Sequence, residues 1–172
     1  MGAPGRVAPA VALRVVGVES PPRCYVASPL GFSEAGSLYY RQVLLPALRA
    51  VVEPVDPWSL TSPEEVEAAR TGGRERELAL EIGLRNARAI ESCSLLVAHL
   101  DGQEVDAGTA AEVGFAAARG LRCFGLRSDL RQSGEPGVSV NLQIEYFLVA
   151  SGGGMCFRLP DLLRELGAVA GA

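Results

Sequence analysis

The chain lacks any concentration of positive charge. Its 172 residues carry a formal net charge of −4, with no run of basic residues and no aromatic residues interleaved among basic ones. Proteins that bind a nucleic-acid polymer need such a basic footprint to neutralise phosphates. We therefore expect no nucleic-acid partner and a small-molecule ligand instead.

Residues that commonly hold metals or cofactors are also scarce. His99 is the only histidine, and no Cys-x-x-Cys pair occurs, so a zinc site would be difficult to assemble. The absence of a Gly-x-Gly-x-x-Gly or Walker loop argues against a dinucleotide cofactor or ATP. We expect no metal and no cofactor, and we interpret His99 as a core histidine with its hydrogen bonds satisfied.

The four cysteines are widely spaced, and each lies in or beside an apolar run: Cys24, Cys93, Cys123 and Cys156. Buried free thiols are the usual interpretation of such positions and fit a reducing cytoplasm. The apolar stretch 7–18 is interrupted by Arg14 and is too short to span a bilayer, so no membrane partner is expected. We interpret residues 1–21 as a loose N-terminal extension or an added edge strand, and residues 22–172 as one domain.

Short apolar runs alternate with helical patterns along most of the chain. This rhythm is typical of a single-domain α/β protein with a doubly wound, five-stranded parallel sheet, flavodoxin-like or Rossmann-like. We expect the strand order 2-1-3-4-5, with the site at the ends of strands one and three. The predicted strands are Cys24–Ser28, Val51–Val55, Leu95–Leu100, Arg122–Leu126 and Met155–Arg158.

The helical patterns are bounded by caps and breakers. Pro46 is expected to kink or divide the first helix, and Gly120 is expected to follow the end of the fourth. The predicted helices are Ser33–Val51, a segment capped by Thr61 or Ser62, Glu75–Glu91, Thr109–Arg119, Val140–Ala150 and Pro160–Leu166.

The stretch DGQEVDAGTAAEVGFA, residues 101–116, places carboxylates and glycines directly after the third strand. A helix unbroken from Asp106 would carry Glu112 about 240° around its axis, so the two carboxylates converge only if Asp106 lies in the loop. Thr109 is a good N-cap, and Gly108 permits a sharp turn before it. The same spacing also forms a capping box in which Glu112 only binds a backbone N–H. On spacing alone, both interpretations stay open.

The pattern Asp-x-Gly-Thr-x-x-Glu-x-Gly-x-Ala that begins at Asp106 resembles the nucleoside 2-deoxyribosyltransferases and their nucleotide N-glycosidase relatives. The resemblance extends from Tyr25 to about Gly154. Residues 25–32 look like the family's first strand and the loop that lines its sugar and base pocket. Asn86 lies where members carry Asp or Asn facing the nucleobase. Residues 140–143 resemble a segment that closes the pocket, often that of a neighbouring subunit.

The resemblance implies an enzyme that transfers 2-deoxyribosyl between nucleobases by double displacement. Glu112 would be the nucleophile that forms a glycosyl-enzyme, as in retaining glycosidases. Asp106 would hold sugar hydroxyls or help to move a proton at the base, and its presence favours deoxyribosyl substrates. Tyr25 would orient Glu112 through its hydroxyl. The expected substrate-binding residues are Ser28, Phe32, Trp58, Asn86, Gly108, Asn141 and Gln143.

Three of these residues carry further expectations. Phe32 and Trp58 could sandwich a base, although aromatic residues of an α/β protein more often belong to the core. Asn86 departs from a pattern with Asp, because an amide can bind a nucleobase but cannot act as a general acid near neutral pH. Asp106 or a terminal carboxylate of another subunit is an alternative proton donor.

Two other functions remain open. One is a nucleoside 5′-monophosphate N-glycosidase, in which water is the acceptor. Arg127 and Arg131 would then grip the phosphate, although by default they are solvated loop charges. The other is a catalytically silent nucleotide-binding sensor, which Asn86 allows and the retention of both Asp106 and Glu112 argues against.

The remaining expectations concern the 5′ position and the oligomer. The loop of the two arginines also carries Asp129 and Glu135, so the pocket is expected to prefer an uncharged 5′-hydroxyl. The predicted helix 140–150 has apolar residues that spread wider than one buried stripe: Ile144, Tyr146, Phe147 and Leu148. Such a helix favours a homo-oligomer, from dimer to hexamer, whose sites are completed across an interface.

Overall fold

Five parallel strands form the centre of the fold. The computed structural model describes residues 20–171, so most of the expected N-terminal extension, residues 1–19, lies outside the described residues. The strands are β1 Arg23–Ala27, β2 Glu53–Val55, β3 Leu95–His99, β4 Arg122–Leu126 and β5 Gly154–Cys156. They pair in the order β2-β1-β3-β4-β5, and every pairing is parallel. The predicted fold class and strand order are confirmed.

Helices cover both faces of the sheet. One face carries α1 Glu34–Tyr39, α2 Leu45–Leu48 and α7 Leu159–Ala170, and the other carries α4 Glu75–Glu91, α5 Ala107–Ala118 and α6 Leu142–Ala150. A further helix, α3 Pro63–Thr71, packs on α4. Among residues 20–171, no helix is both long enough and apolar enough to cross a membrane.

Strand β3 is buried on both sides, as expected for the middle of a covered parallel sheet. Leu95 and Val97 face the layer of α2 and α7, whereas Leu96 and Ala98 face α5 and α6. Each fully buried Leu or Val side chain contributes roughly 1.5–3 kcal/mol. The same alternation in β1 directs Tyr25 towards α5. This orientation brings a phenol under the candidate site.

The predicted first helix is divided, and the division begins before Pro46. A π-helical turn, Tyr40–Leu44, separates α1 from α2, and the Leu45 N–H donates to the Tyr40 carbonyl, five residues back. Proline has no N–H to give to the carbonyl four residues earlier, so the wider turn accommodates it. The helix ends at Leu48 rather than at Val51.

Candidate active site

A pocket of about 490 Å³ lies beyond the carboxyl ends of β1, β2 and β3. Seven of the ten predicted site residues line it, because the first three strands all deliver their following loops to one edge. The lining residues are Ser28, Phe32, Pro57, Trp58, Thr61, Val66, Ile82, Asn86, Asp106, Gly108, Thr109 and Glu112.

Glu112 lies on α5 and is partly buried in the pocket wall. Its Oε1 accepts hydrogen bonds from the Tyr25 hydroxyl at 2.6 Å and from Asn86 Nδ2 at 3.4 Å. No described residue donates to Oε2, so that oxygen keeps its lone pairs. Burial raises the pKa of Glu112, the Tyr25 hydrogen bond lowers it in part, and the charge of Asp106 raises it further. The arrangement fixes one oxygen and leaves the other able to react.

Tyr25 supplies this orientation from the buried strand β1. Its side chain has no exposed surface. Burial, and then the neighbouring Glu112 carboxylate, raise the pKa of Tyr25 far above its ordinary value. The phenol therefore keeps its proton at neutral pH and donates a hydrogen bond to Glu112.

Asp106 is the N-cap of α5, and this corrects the predicted start of the helix at Thr109. The Asp106 Oδ2 accepts from the Thr109 N–H at 2.9 Å and from Thr109 Oγ1 at 3.1 Å. Asp106 has non-helical dihedral angles, which meets the condition for its convergence with Glu112. Gly108 lies within the first turn of α5, without positive φ. The capping box is absent, because Glu112 binds Tyr25 and Asn86 instead.

Asn86 lies on α4 with its amide directed at Glu112. The Nδ2 atom donates to that carboxylate, while Oδ1 is buried and has no hydrogen-bond partner among the described residues. An amide without a titratable proton can hold Glu112 but cannot protonate a leaving base.

Phe32 and Trp58 lie at the mouth of the pocket, but they do not form the predicted sandwich. Their rings meet edge to face, with centroids 4.7 Å apart, which leaves no gap for a base between them. The indole Nε1–H donates to the Ser28 carbonyl at 3.2 Å. A Cβ on Gly31 would clash with the indole at 2.3 Å. Trp58 is therefore a fixed wall, whereas Phe32 is 78% exposed.

Five pocket residues were not identified as site residues from the sequence: Pro57, Thr61, Val66, Ile82 and Thr109. Two signals could have found part of this set. Residues after β2 must reach the same edge as those after β1 and β3. Ile82 lies four residues before Asn86, and residues so spaced share a helix face.

Asn141 and Gln143 lie away from this pocket. Asn141 caps α6, where its side chain accepts from the Gln143 N–H at 3.0 Å. Both residues line a second cavity of about 610 Å³ between α5 and α6. Within one copy of the chain they do not meet Glu112 in one pocket.

Arg127 is buried rather than solvated, which corrects the default interpretation of this residue. It is 2% exposed and donates to the carbonyls of Leu100, Gly102 and Arg131. Its neighbour Arg131 is exposed and pairs with Asp129. Arg127 thus holds together the loops that follow β3 and β4, with three of its five N–H groups bonded to protein carbonyls.

Asp101 completes this connection between the two loops. Its carboxylate accepts from the Ser128 N–H and hydroxyl, from the Asp129 N–H and from His99 Nε2. His99 is buried as predicted, but its Nδ1 has no partner among the described residues. The expectation of a fully satisfied histidine is therefore wrong.

Three of the solved structures that resemble this chain share its fold. A conserved protein from Enterococcus faecalis V583 superposes with a TM-score of 0.63 at 22% identity, covering 87% of this chain and 99% of that one. A 2-desoxiribosyltransferase from Leishmania mexicana gives 0.53 at 24% identity, covering 72% and 85%. The CMP N-glycosidase BcmB from Clostridium botulinum gives 0.51 at 17%, covering 86% and 98%.

A comparison with curated protein sequences finds no significant match. The family model for nucleoside 2-deoxyribosyltransferase matches residues 24–158, which is more than half of the chain and includes every residue that lines the pocket. The chain therefore belongs to the nucleoside 2-deoxyribosyltransferase family.

Proposed function

We propose that the protein transfers 2-deoxyribosyl groups between nucleobases by double displacement, with Glu112 as the nucleophile. The observation that carries this proposal is the asymmetric carboxylate of Glu112. Oε1 is held by Tyr25 and Asn86, while Oε2 has no donor among the described residues, and Glu112 itself lines the pocket. A carboxylate held in this way is ready to attack an anomeric carbon.

The chemistry takes two steps. In the first, Glu112 Oε2 bonds to C1′ of the donor nucleoside as the bond from C1′ to the base nitrogen breaks. The electron pair goes to the leaving base, which takes up a proton. In the second, a nitrogen of another base bonds to C1′ and loses its proton to Asp106, while the bond from C1′ to Oε2 breaks and releases Glu112 as a carboxylate. Both transition states resemble an oxocarbenium ion, which the neighbouring negative charge stabilises.

Asp106 has the groups needed to bind the sugar and to move a proton. Its Oδ2 is engaged by Thr109, whereas no described residue donates to its Oδ1. Asp106 and Glu112 are the only carboxylates among the described residues that line the pocket. We assign to Asp106 the recognition of a sugar hydroxyl and the proton transfer that the Asn86 amide cannot perform.

The charge of the pocket favours nucleosides over their 5′-monophosphates. Its described lining contains no arginine, lysine or histidine. The buried Arg127 gives three N–H groups to carbonyl groups and is not part of the pocket lining, and Arg131 is paired with Asp129. A phosphate would meet two carboxylates without a compensating cation.

The test is to incubate the protein with deoxyinosine, with and without free adenine, and to follow both nucleosides by chromatography. We expect deoxyadenosine to form, adenine to accelerate loss of deoxyinosine, and deoxyinosine monophosphate and inosine to react poorly. Faster cleavage of the monophosphate, unaffected by adenine, would replace transfer with hydrolysis. If the folded protein converts none of these compounds, the proposal of transfer fails and the catalytically silent nucleotide-binding sensor replaces it.

We also propose that α6 serves a neighbouring copy of the chain. Leu142, Tyr146 and Val149 recur at helical spacing and are 52%, 62% and 64% exposed. Asn141 and Gln143 adjoin this stripe, so an interface here would bring them towards a partner's pocket. Light scattering of Tyr146→Glu beside the unaltered protein tests the proposal. An unaltered protein that is monomeric and fully active would contradict it.

A further inference from the structure

The pocket lining combines polar and apolar side chains. Asp106, Asn86 and Glu112 are polar residues beside which the sugar would react, and this assignment rests on the function proposed above. Ile82 lies one helical turn before Asn86 on α4, about 6 Å along the axis. Ile82 and Val66 both contribute apolar surface to the lining, which suits a nucleobase.

Thr61 provides a hydroxyl group in this lining. Arg85 donates from Nη1 to Thr61 Oγ1 at 3.3 Å and to the Leu60 carbonyl at 2.9 Å. The guanidinium is itself held by the carboxylates of Glu65 and Glu81, each within 3 Å of Nη2. Arg85 thus fastens the segment before α3 to α4 and fixes Thr61 over the pocket.

This contact determines how the Thr61 hydroxyl can bind. A hydroxyl has one hydrogen to donate and two lone pairs that accept. The Arg85 guanidinium bonds to one of these lone pairs. Its positive charge repels the positive end of any second donor that approaches the same oxygen. The hydroxyl hydrogen has no acceptor among the described residues. Towards the pocket, Thr61 is therefore a hydrogen-bond donor.

We infer that Thr61 selects nucleobases that carry a carbonyl oxygen at the edge away from the glycosidic nitrogen. In a purine that edge bears the substituent at C6, and in a pyrimidine it bears the substituent at C4. Hypoxanthine and uracil present an acceptor there, whereas adenine and cytosine present an amino donor. The substrates of this site are thus 6-oxopurines and 4-oxopyrimidines in preference to their amino counterparts.

The test compares kcat/KM for hypoxanthine against adenine, and for uracil against cytosine, as acceptors from one deoxynucleoside donor. We expect the unaltered protein to favour the oxo base by about tenfold, as for one well-placed hydrogen bond. Thr61→Val keeps the shape of the side chain and should bring the ratio close to one. Thr61→Ser keeps the hydroxyl and should restore the ratio.

Thr71→Val is the matched control, because Thr71 is the last residue of α3, the helix that follows Thr61, and is exposed and bonds only to helix carbonyls. It should leave the ratio unchanged. An unaltered protein without oxo preference, or a Thr61→Val ratio equal to that of the unaltered protein, overturns the inference while transfer itself persists. If no base is transferred, the proposed function fails. The inference is then tested by calorimetry, which measures the ratio of the binding constants of hypoxanthine to adenine and of uracil to cytosine.

Discussion

Two carboxylates that follow β3, Asp101 and Glu112, differ in how many of their oxygens accept hydrogen bonds, although both are partly buried near one edge of the sheet. Asp101 uses both oxygens, which together accept from Ser128, Asp129 and His99. Glu112 uses only Oε1, and Oε2 has no donor among the described residues. The comparison teaches that a carboxylate becomes a candidate reactive group when the protein leaves part of its hydrogen-bonding capacity unused.

The pKa values of the two groups diverge for the same reason. Burial alone would raise the pKa of Asp101, but donation from His99 and Ser128 lowers it well below the ordinary value. Burial raises the pKa of Glu112, and the single strong donor, Tyr25, offsets this only in part. Asp101 thus stabilises the fold as an anion, whereas the ionised form of Glu112, the proposed nucleophile, costs stability.

The largest expected effect comes from removing the reactive group. Glu112→Ala should reduce deoxyribosyl transfer by about 10⁴-fold or more, because it removes the proposed nucleophile that forms the covalent intermediate. Initial rates with a deoxynucleoside donor and a free base measure this loss, and circular dichroism checks the fold. Transfer that persists together with a lowered unfolding temperature would mean that Glu112 is structural.

Asp101→Ala is the matched change at the other carboxylate. It removes the acceptor of two backbone N–H groups and should cost about 2 kcal/mol, or roughly 4–8 °C in unfolding temperature. The stabilisation comes from a lowered pKa, so in the unaltered protein it is present above pH 4 and is lost as the pH falls further. Activity of the folded variant should stay within about tenfold. A loss of activity like that of Glu112→Ala would erase the distinction between the two groups.

Tyr25→Phe sharpens the comparison by removing the donor that orients Glu112. We expect kcat to fall by about 10- to 100-fold, as for the loss of a hydrogen bond to a charged group. This bond lowers the pKa of Glu112, so its removal should move the acidic limb of the pH-rate profile to higher pH. An unchanged limb would show that Tyr25 is only part of the core.

The smallest expected effect is the change in stability caused by Glu112→Gln. The pKa of Glu112 is raised in the folded state, so the folded protein holds this proton more tightly than the unfolded chain, and stability declines as the pH rises through the folded pKa. Glu112→Gln should therefore unfold at a higher temperature than the unaltered protein at pH 7, with the difference vanishing near pH 4. Calorimetry at both values tests this. A variant less stable at pH 7 would contradict the assigned cost of the anion.

Much of the site followed from short-range patterns. Apolar runs alternating with helices favour parallel strands, whose carboxyl ends meet at one edge of the sheet. The sequence alone therefore placed Ser28, Asp106 and Glu112 near that edge. The boundary of α5 was less certain, because Thr109 and Asp106 are both competent N-caps. The structure selects Asp106, and the Glu112 side chain is then free to face Tyr25 rather than the backbone.

The sequence by itself determined the alternation of strands and helices that a parallel sheet requires, and it supplied the two candidate carboxylates, because periodicity and caps act over a few residues. Whether Asp106 and Glu112 converge was decided by the structure, which places Asp106 at the N-cap of α5. The tertiary structure decided what each polar side chain binds. Arg127 looked like a solvated charge until the loops after β3 and β4 enclosed it with carbonyls. The Thr61 hydroxyl accepts from Arg85, which is 24 residues away in the sequence. Burial and partner choice arise from contacts distant in sequence, which local patterns do not encode.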